Sequence, residues 1–245
     1  MNTSQPPHRA VLLDMDGVLV DSTSAHLQAW ARFLDEHDLP PPPEGIASLF
    51  GRPAAEALRL LLDDCTDEAG FAVRLAALHR YADALLDEHA PGELVVPGAE
   101  RLVDDLLAVG RRLAVVTSAR RNAAEHSLGD LTSRIEVVVT AEDVQRGKPD
   151  PEPYLIAASR LGVPPSACVV VEDAVAGVEA GRRAGMVVIA VASTAAAEDL
   201  RAAGAREVVQ DLRGLHRQLL AEPPPPTTDD DGHRYQEAPR ERTDR

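Results

Sequence analysis

The segment VLLDMDGVLVDS, residues 11–22, places two carboxylates at the end of an apolar run. Asp14 and Asp16 are two residues apart, so on a β-strand their side chains point to the same face. Burying an uncompensated carboxylate costs several kcal/mol even after the protein relaxes. The pair therefore indicates a functional site, in which other groups must offset the two charges.

Further polar side chains follow later apolar runs in the same way. The functional crevice of an open α/β sheet lies beyond the carboxyl ends of its strands, so these side chains are expected to converge on one edge. They comprise two hydroxyls, one ammonium group and two more acids: Thr117, Ser118, Lys148, Glu172 and Asp173.

Four clustered carboxylates without a cation would repel one another, and oxygen ligands with an open coordination shell suit Mg²⁺. An ammonium group, hydroxyls and the flexible backbone at Gly17 can bind phosphate oxygens. Asp14 is then expected to be the nucleophile that forms an aspartyl phosphate, held ionised by the metal and Lys148. Asp16 is expected to act as a general acid toward the leaving oxygen and then as a base toward water.

Lysine is used at a single position. All but one of the 25 basic residues are arginine, and the exception is Lys148. A compact ammonium group and a planar guanidinium fork are not interchangeable at a tightly packed site. The composition therefore predicts a specific role for Lys148, with a chance survivor as the alternative.

The elements that must position these residues alternate between strands and helices. Short runs rich in Val and Ile are typical of strands buried on both faces, and helical patterns separate them. This alternation predicts an α/β fold, a doubly wound, Rossmann-like parallel sheet. The predicted strands are 10–14, 113–117, 136–140, 168–172, 186–192 and 207–209, and the helices between them are 99–109, 122–128, 152–161, 174–184 and 195–203.

The alternation breaks once, between residues 22 and 93. Amphipathic patterns such as AHLQAWARFLDEH replace strand signals there, which predicts an inserted helical cap domain. The core domain is then residues 1–21 and 94–221. Residues 222–245 are rich in Pro and polar residues and are predicted to be a disordered tail.

Composition excludes several classes of protein. The net charge of −15 disfavours nucleic acid as a partner, and no apolar run reaches the length of a membrane span. The first ten residues lack a secretory pattern, and the only cysteines are Cys65 and Cys168. We expect a cytoplasmic protein, monomeric or homodimeric, that acts on a small molecule.

Four motifs in order resemble those of the haloacid dehalogenase superfamily. DMDGVLVDS resembles its first motif, VVTS its second, GKPDP its third and VVVEDAVAGVEAG its fourth. The helical insertion lies where that superfamily has its C1 cap. The chain is most similar to the β-phosphoglucomutase-like and sugar-phosphatase branch, and the resemblance covers about residues 9–220.

The resemblance implies roles for the residues of the core. Asp14 corresponds to the nucleophile and a metal ligand. Asp16 corresponds to the acid/base residue, with its backbone carbonyl as a further ligand. Thr117 and Lys148 are expected to bind the transferring phosphoryl group, with Ser118 beside them.

The remaining implied roles concern the metal and the cap. Asp173 is expected to bind Mg²⁺, and Glu172 to be a ligand or a neighbour of one. His26 corresponds to a cap-hinge histidine of many relatives, although it could equally be a core histidine. Arg52 lies in a cap loop that often contacts substrate, although it could simply be a solvated helix start.

Three functions are considered. The favoured one is a Mg²⁺-dependent phosphatase acting on a small phosphate ester, and a phosphomutase of the same chemistry is the alternative. A mutase needs extra cations in the cap, yet His79 and Ala54 stand at the expected lysine and arginine positions, and only Arg52 could substitute. The intact acids and lysine disfavour a catalytically silent binding protein.

Overall fold

The computed structural model describes residues 8–50, 52–62 and 67–221, and its centre is a six-stranded parallel sheet. The strand order is β3-β2-β1-β4-β5-β6, the order of a Rossmann-like doubly wound sheet. This confirms the fold class predicted from the sequence. The strands are β1 (Ala10–Leu13), β2 (Arg112–Val116), β3 (Val137–Val139), β4 (Cys168–Glu172), β5 (Val187–Val191) and β6 (Glu207–Val209).

Helices cover both faces of the sheet. One apolar cluster joins α4, α5 and α9 to one set of strand side chains, and a second joins α6, α7 and α8 to the alternate set. Leu13 belongs to the first cluster and Leu12 to the second, as the two-residue period of a strand requires. The helices are α4 (Ala99–Ala108), α5 (Arg121–Leu128), α6 (Glu152–Arg160), α7 (Val175–Arg183), α8 (Ala197–Ala203) and α9 (Leu212–Ala221).

Three helices lie between β1 and α4 in the chain and form a separate apolar cluster. They are α1 (Thr23–Glu36), α2 (Ala54–Leu61) and α3 (Glu68–Leu86), called the cap below. Trp30, Phe33, Leu58 and Leu78 are buried in this third cluster, so the cap has its own core. The boundaries 22–93 and 94–221 stay predictions, and the predicted tail 222–245 lies outside the described residues.

The structure differs from the sequence-based prediction at several element ends. β1 ends at Leu13 rather than Asp14, because the chain then turns and the amides of Leu19 and Val20 both donate to the carbonyl of Met15. Helix α9 was missed, although Leu212, Leu215 and Leu219 have helical spacing and are buried. No helix among the described residues has both the length and the apolar character that a membrane crossing needs.

Glycines allow α7 to approach the sheet closely. A Cβ at Gly177 would overlap the carboxylate of Glu172, and one at Gly181 would lie 2.9 Å from Val188 Cγ2. Gly185 is different, because nothing lies within 4 Å of its Cβ position and its φ is +75°, which suits glycine at a helix end. Gly177 and Gly181 thus permit close packing of α7 on the sheet, whereas Gly185 ends the helix.

We expect Gly181→Ala to lower the free energy of unfolding by about 1–3 kcal/mol, because the added methyl group overpacks the contact with Val170 and Val188. Urea titration followed by circular dichroism measures this. Glu179→Ala on the same helix is the control, and it should cost about 0.5 kcal/mol or less, since it loses only a surface pair with Arg183. Equal losses in the two variants would contradict the packing argument.

Candidate active site

The acids meet because β1 lies between β2 and β4 at the centre of the sheet. The Asp14 amide donates to the carbonyl of Val171 at 2.9 Å, which fixes the end of β1 beside the end of β4. The Thr117 amide donates to the carbonyl of Val139 at 2.9 Å on the other side. The sequence-predicted convergence of strand-end residues is therefore what the structure shows.

Lys148 is a buried ammonium group with a 1% exposed side chain. Its Nζ donates to Asp14 Oδ1, lies 2.7 Å from Glu172 Oε1 and donates to the carbonyl of Val116 at 3.0 Å. Burial alone would lower the pKa of Lys148, but the carboxylates of Asp14 and Glu172 outweigh it and raise the pKa. Three donors meet three acceptors, so the lysine remains charged inside the protein.

Glu172 is fully buried and saturated with hydrogen bonds. In addition to Lys148, Oε1 accepts from the Tyr154 hydroxyl at 2.5 Å, and Oε2 accepts from the amides of Asp173 and Ala174 at 3.1 and 3.4 Å. The sequence analysis predicts that Glu172 is either a metal ligand or a neighbour of a metal ligand. Its bonding suits a residue that holds Lys148 in place, because few of its lone pairs are left for a metal.

Three buried acids form a candidate metal site. One carboxylate oxygen from each of Asp14, Glu172 and Asp173 lies within 4.8 Å of the other two. Burial raises the pKa of Asp14 well above its ordinary value, although Lys148 opposes this. Burial and the neighbouring Glu172 raise the pKa of Asp173 to about 7. The hard oxygen donors and their uncompensated charge fit a Mg²⁺ ion.

The carboxylate of Asp16 faces the start of the cap instead of this group. Ser22 Oγ donates to its Oδ1, His26 Nε2 lies 3.3 Å from the same oxygen, and Thr117 Oγ1 lies 3.4 Å from Oδ2. Burial tends to raise the pKa of Asp16, but the bonds from His26 and Ser22 hold it below its ordinary value. The structure thus does not place this carboxylate among the candidate metal ligands.

Ser22 occupies the N-cap position of α1, but its hydroxyl makes no capping bond and donates to Asp16 instead. The alternative that His26 is only a core histidine is not what the structure shows, because its ring contacts Asp16. Both residues couple the cap to the first motif.

The remaining predicted residues line the same region. Gly17 has φ +75°, and a Cβ there would overlap the Asp173 carboxylate, so only glycine lets the backbone pass. The Thr117 hydroxyl accepts from the Ala119 amide at 3.0 Å. Ser118 and Arg52 line the cavity between the cap and the sheet edge, whose volume is about 460 Å³.

Sequence reasoning missed several residues of this cavity. Glu56 on α2 accepts from the Gly147 amide at 2.9 Å, and Arg120 at the start of α5 contacts both carboxylate oxygens of Asp83 on α3. Sequence reasoning also missed Tyr154, a fully buried residue that donates to Glu172, and its only signal is its position six residues after Lys148, on the helix that follows. None of these pairs has a local sequence pattern, because the partners come from distant segments.

A doubly wound sheet with acids and a lysine at its strand ends, and helices inserted after the first strand, defines a class of hydrolases. A family model described as haloacid dehalogenase-like hydrolase matches residues 8–185. The chain belongs to this family, which confirms the resemblance predicted from its motifs.

Named relatives agree with this assignment. Validoxylamine A 7'-phosphate phosphatase of Streptomyces hygroscopicus subsp. limoneus is 38% identical over 195 residues, 79% of this chain and 90% of that protein. Hexitol phosphatase A of Escherichia coli is 40% identical over 185 residues, 75% and 82% of the two chains. The β-phosphoglucomutase structure from Clostridium difficile shares the fold with a TM-score of 0.74 at 24% identity, covering 88% and 100%. The chain is a phosphoric monoester hydrolase of this family.

We expect Lys148→Arg to be nearly as damaging to turnover as Lys148→Ala. Three acceptors surround Nζ in a buried site, so a guanidinium group with five N–H donors would leave some of its donors without a partner. Steady-state rates measure this, and Arg101→Lys, at an exposed pair with Asp105, is the control that should retain the wild-type rate. A Lys148→Arg enzyme with wild-type turnover would show that the single lysine is an accident of composition.

Proposed function

We propose that the protein is a Mg²⁺-dependent phosphatase that hydrolyses a small sugar or sugar-alcohol phosphate through an aspartyl phosphate on Asp14. One observation carries the proposal. Lys148 bridges Asp14 and Glu172 within a buried acid cluster, and Asp14 also lines a cavity large enough for a phosphorylated sugar. The relatives named for a hexitol and for validoxylamine A 7'-phosphate support this class of substrate.

In the first step, a carboxylate oxygen of Asp14 bonds to phosphorus as the bond from phosphorus to the ester oxygen breaks. Asp16 donates a proton to the departing oxygen, which leaves as an alcohol. Lys148 stabilises the charge on the phosphoryl oxygens, and the Thr117 hydroxyl is close enough to Asp16 to help orient it.

In the second step, the Asp16 carboxylate takes a proton from water while the water oxygen bonds to phosphorus. The acyl phosphate bond breaks, which regenerates Asp14 and releases inorganic phosphate. The bonds from Ser22 and His26 favour the ionised form of Asp16, which is the form this second step requires. These contacts support the proposed role of Asp16 as the base in this step.

The metal would be held by Asp14 and Asp173, with Glu172 fixing Lys148 beside them. When bound, Mg²⁺ supplies positive charge that keeps the clustered carboxylates ionised and binds phosphate oxygen. Asp173 is positioned for this, since the Gly17 backbone and the Thr194 hydroxyl pack against its carboxylate.

The alternative is a phosphomutase, which must hold a sugar bisphosphate by its distal phosphate. The cap contains no lysine, and His79 and Ala54 line the cavity at the positions where the sequence comparison expects cations. These residues favour transfer of the phosphoryl group to water.

Removal of divalent metal should abolish turnover. We expect treatment with EDTA to eliminate phosphate release from a sugar phosphate panel, and added Mg²⁺ to restore it, because the acid cluster needs a cation. Mg²⁺ should also raise the melting temperature of the protein, since it binds only the folded site. Undiminished activity after exhaustive chelation would contradict the metal assignment.

Asp14→Asn should fold normally and lose turnover by at least about 100-fold, because the amide cannot form the acyl phosphate. Phosphate release measures the rate and circular dichroism the fold. The control is Asp21→Asn, which removes the same charge from an exposed position seven residues along the chain and should retain the wild-type rate. An active Asp14→Asn enzyme would remove Asp14 as the nucleophile.

A further inference from the structure

The cap side of the cavity contains an arginine that is already neutralised. Nη2 of Arg120, at the start of α5, contacts Asp83 Oδ1 and lies 2.6 Å from Asp83 Oδ2 on α3. The two side chains are 32% and 37% exposed and both line the cavity, so the pair is formed where a substrate would lie. Arg120 is therefore not an uncompensated cation in this cavity.

A second arginine near this wall also has a carboxylate partner. Arg59 lies 3.7 Å from Glu68 and its guanidinium stacks 4.1 Å from the Phe71 ring. Burial and the charge of Arg120 lower the pKa of His79, which favours the uncharged form of its ring. Two arginines that line the cavity thus have carboxylate partners, Arg120 with Asp83 and Arg59 with Glu68, and Arg52 lines the cavity as well.

The pairing of Arg120 with Asp83 decides which chemical group this side of the cavity can bind. A second phosphate only accepts hydrogen bonds and needs positive charge that is not already paired, which Arg120 does not offer while Asp83 holds it. A hydroxyl group both donates and accepts, and the pair offers guanidinium N–H donors beside carboxylate acceptors. Asp83 also repels an anion that approaches Arg120.

We propose that Asp83 is a specificity-determining residue that, by pairing with Arg120, makes the cap side of the cavity accept an uncharged hydroxylated group and reject a second phosphate. The inference rests on the proposed phosphatase function and narrows its substrate to monophosphates of sugars or polyols. It assigns Asp83 no part in the reaction steps themselves.

The test measures binding in the full-length Asp14→Asn protein, in which substrate is not consumed. Calorimetry gives the dissociation constants of glucose 6-phosphate and glucose 1,6-bisphosphate with Mg²⁺ present. We expect the added Asp83→Asn substitution to shift the ratio of the two constants toward the bisphosphate by about tenfold, because Arg120 becomes an available phosphate partner.

Two controls separate charge from structure. Asp87→Asn removes the same charge one turn along α3, at an exposed position outside the cavity, and should leave the ratio unchanged. Adding Arg120→Gln to Asp83→Asn should return the ratio to its starting value, which a mere disturbance of the cap would not do. The proposal is overturned if Asp83→Asn matches Asp87→Asn, or if the double substitution keeps the shift.

The outcomes also separate this inference from the proposed function. If the wild-type protein releases no phosphate from any monophosphate, or if Asp14→Asn still consumes substrate, the proposed function fails while the binding ratio still tests Asp83. If turnover follows the proposed function but the ratio does not respond to Asp83, only the specificity inference fails.

Discussion

The buried ammonium group of Lys148 is the interaction on which the rest of the site depends. A lysine inside a protein is costly unless acceptors surround it, and here Asp14, Glu172 and the Val116 carbonyl do so. Each acceptor comes from the end of a different strand, so the charge is satisfied only when β1, β2 and β4 are in register. The same contact therefore links folding of the sheet to assembly of the catalytic groups.

The surrounding architecture follows from that requirement. Glu172 can hold Lys148 only because Gly177 leaves space above it and Tyr154 donates to it from α6. Asp173 can lie beside Asp14 only because Gly17 has no side chain. The glycines of the first and fourth motifs thus leave room for the acidic side chains. The tight turn at Gly17 and the close approach of the helix at Gly177 also require glycine.

Much of the sheet and of the acid cluster was predictable from the sequence, because short local patterns mark the strands and the residues that follow them. Strands appear as apolar runs, and the rule that strand ends share one edge brings Asp14, Thr117 and Glu172 together without knowledge of any contact. Contacts between distant segments could not be predicted. The sequence patterns around α3 and α5 give no sign that Asp83 and Arg120 form an ion pair. Helix α9 was not predicted because Gly214 and the polar residues of this segment weaken its helical pattern. Packing of its leucines against the sheet stabilises the helix.

The two sides of the cavity differ in how their charges are balanced. The chain has a net charge of −15, so its overall field repels anions, and positive charge must be concentrated where phosphate reacts. At the sheet edge the balance is negative, because several acids face one lysine, and a divalent cation with a bound phosphoryl group would fit there. On the cap wall Arg120 is offset by Asp83 and Arg59 by Glu68, so the charges of these arginines are already paired. Binding of the reacting phosphate and rejection of a second phosphate are therefore separate properties, set by different elements and open to independent change.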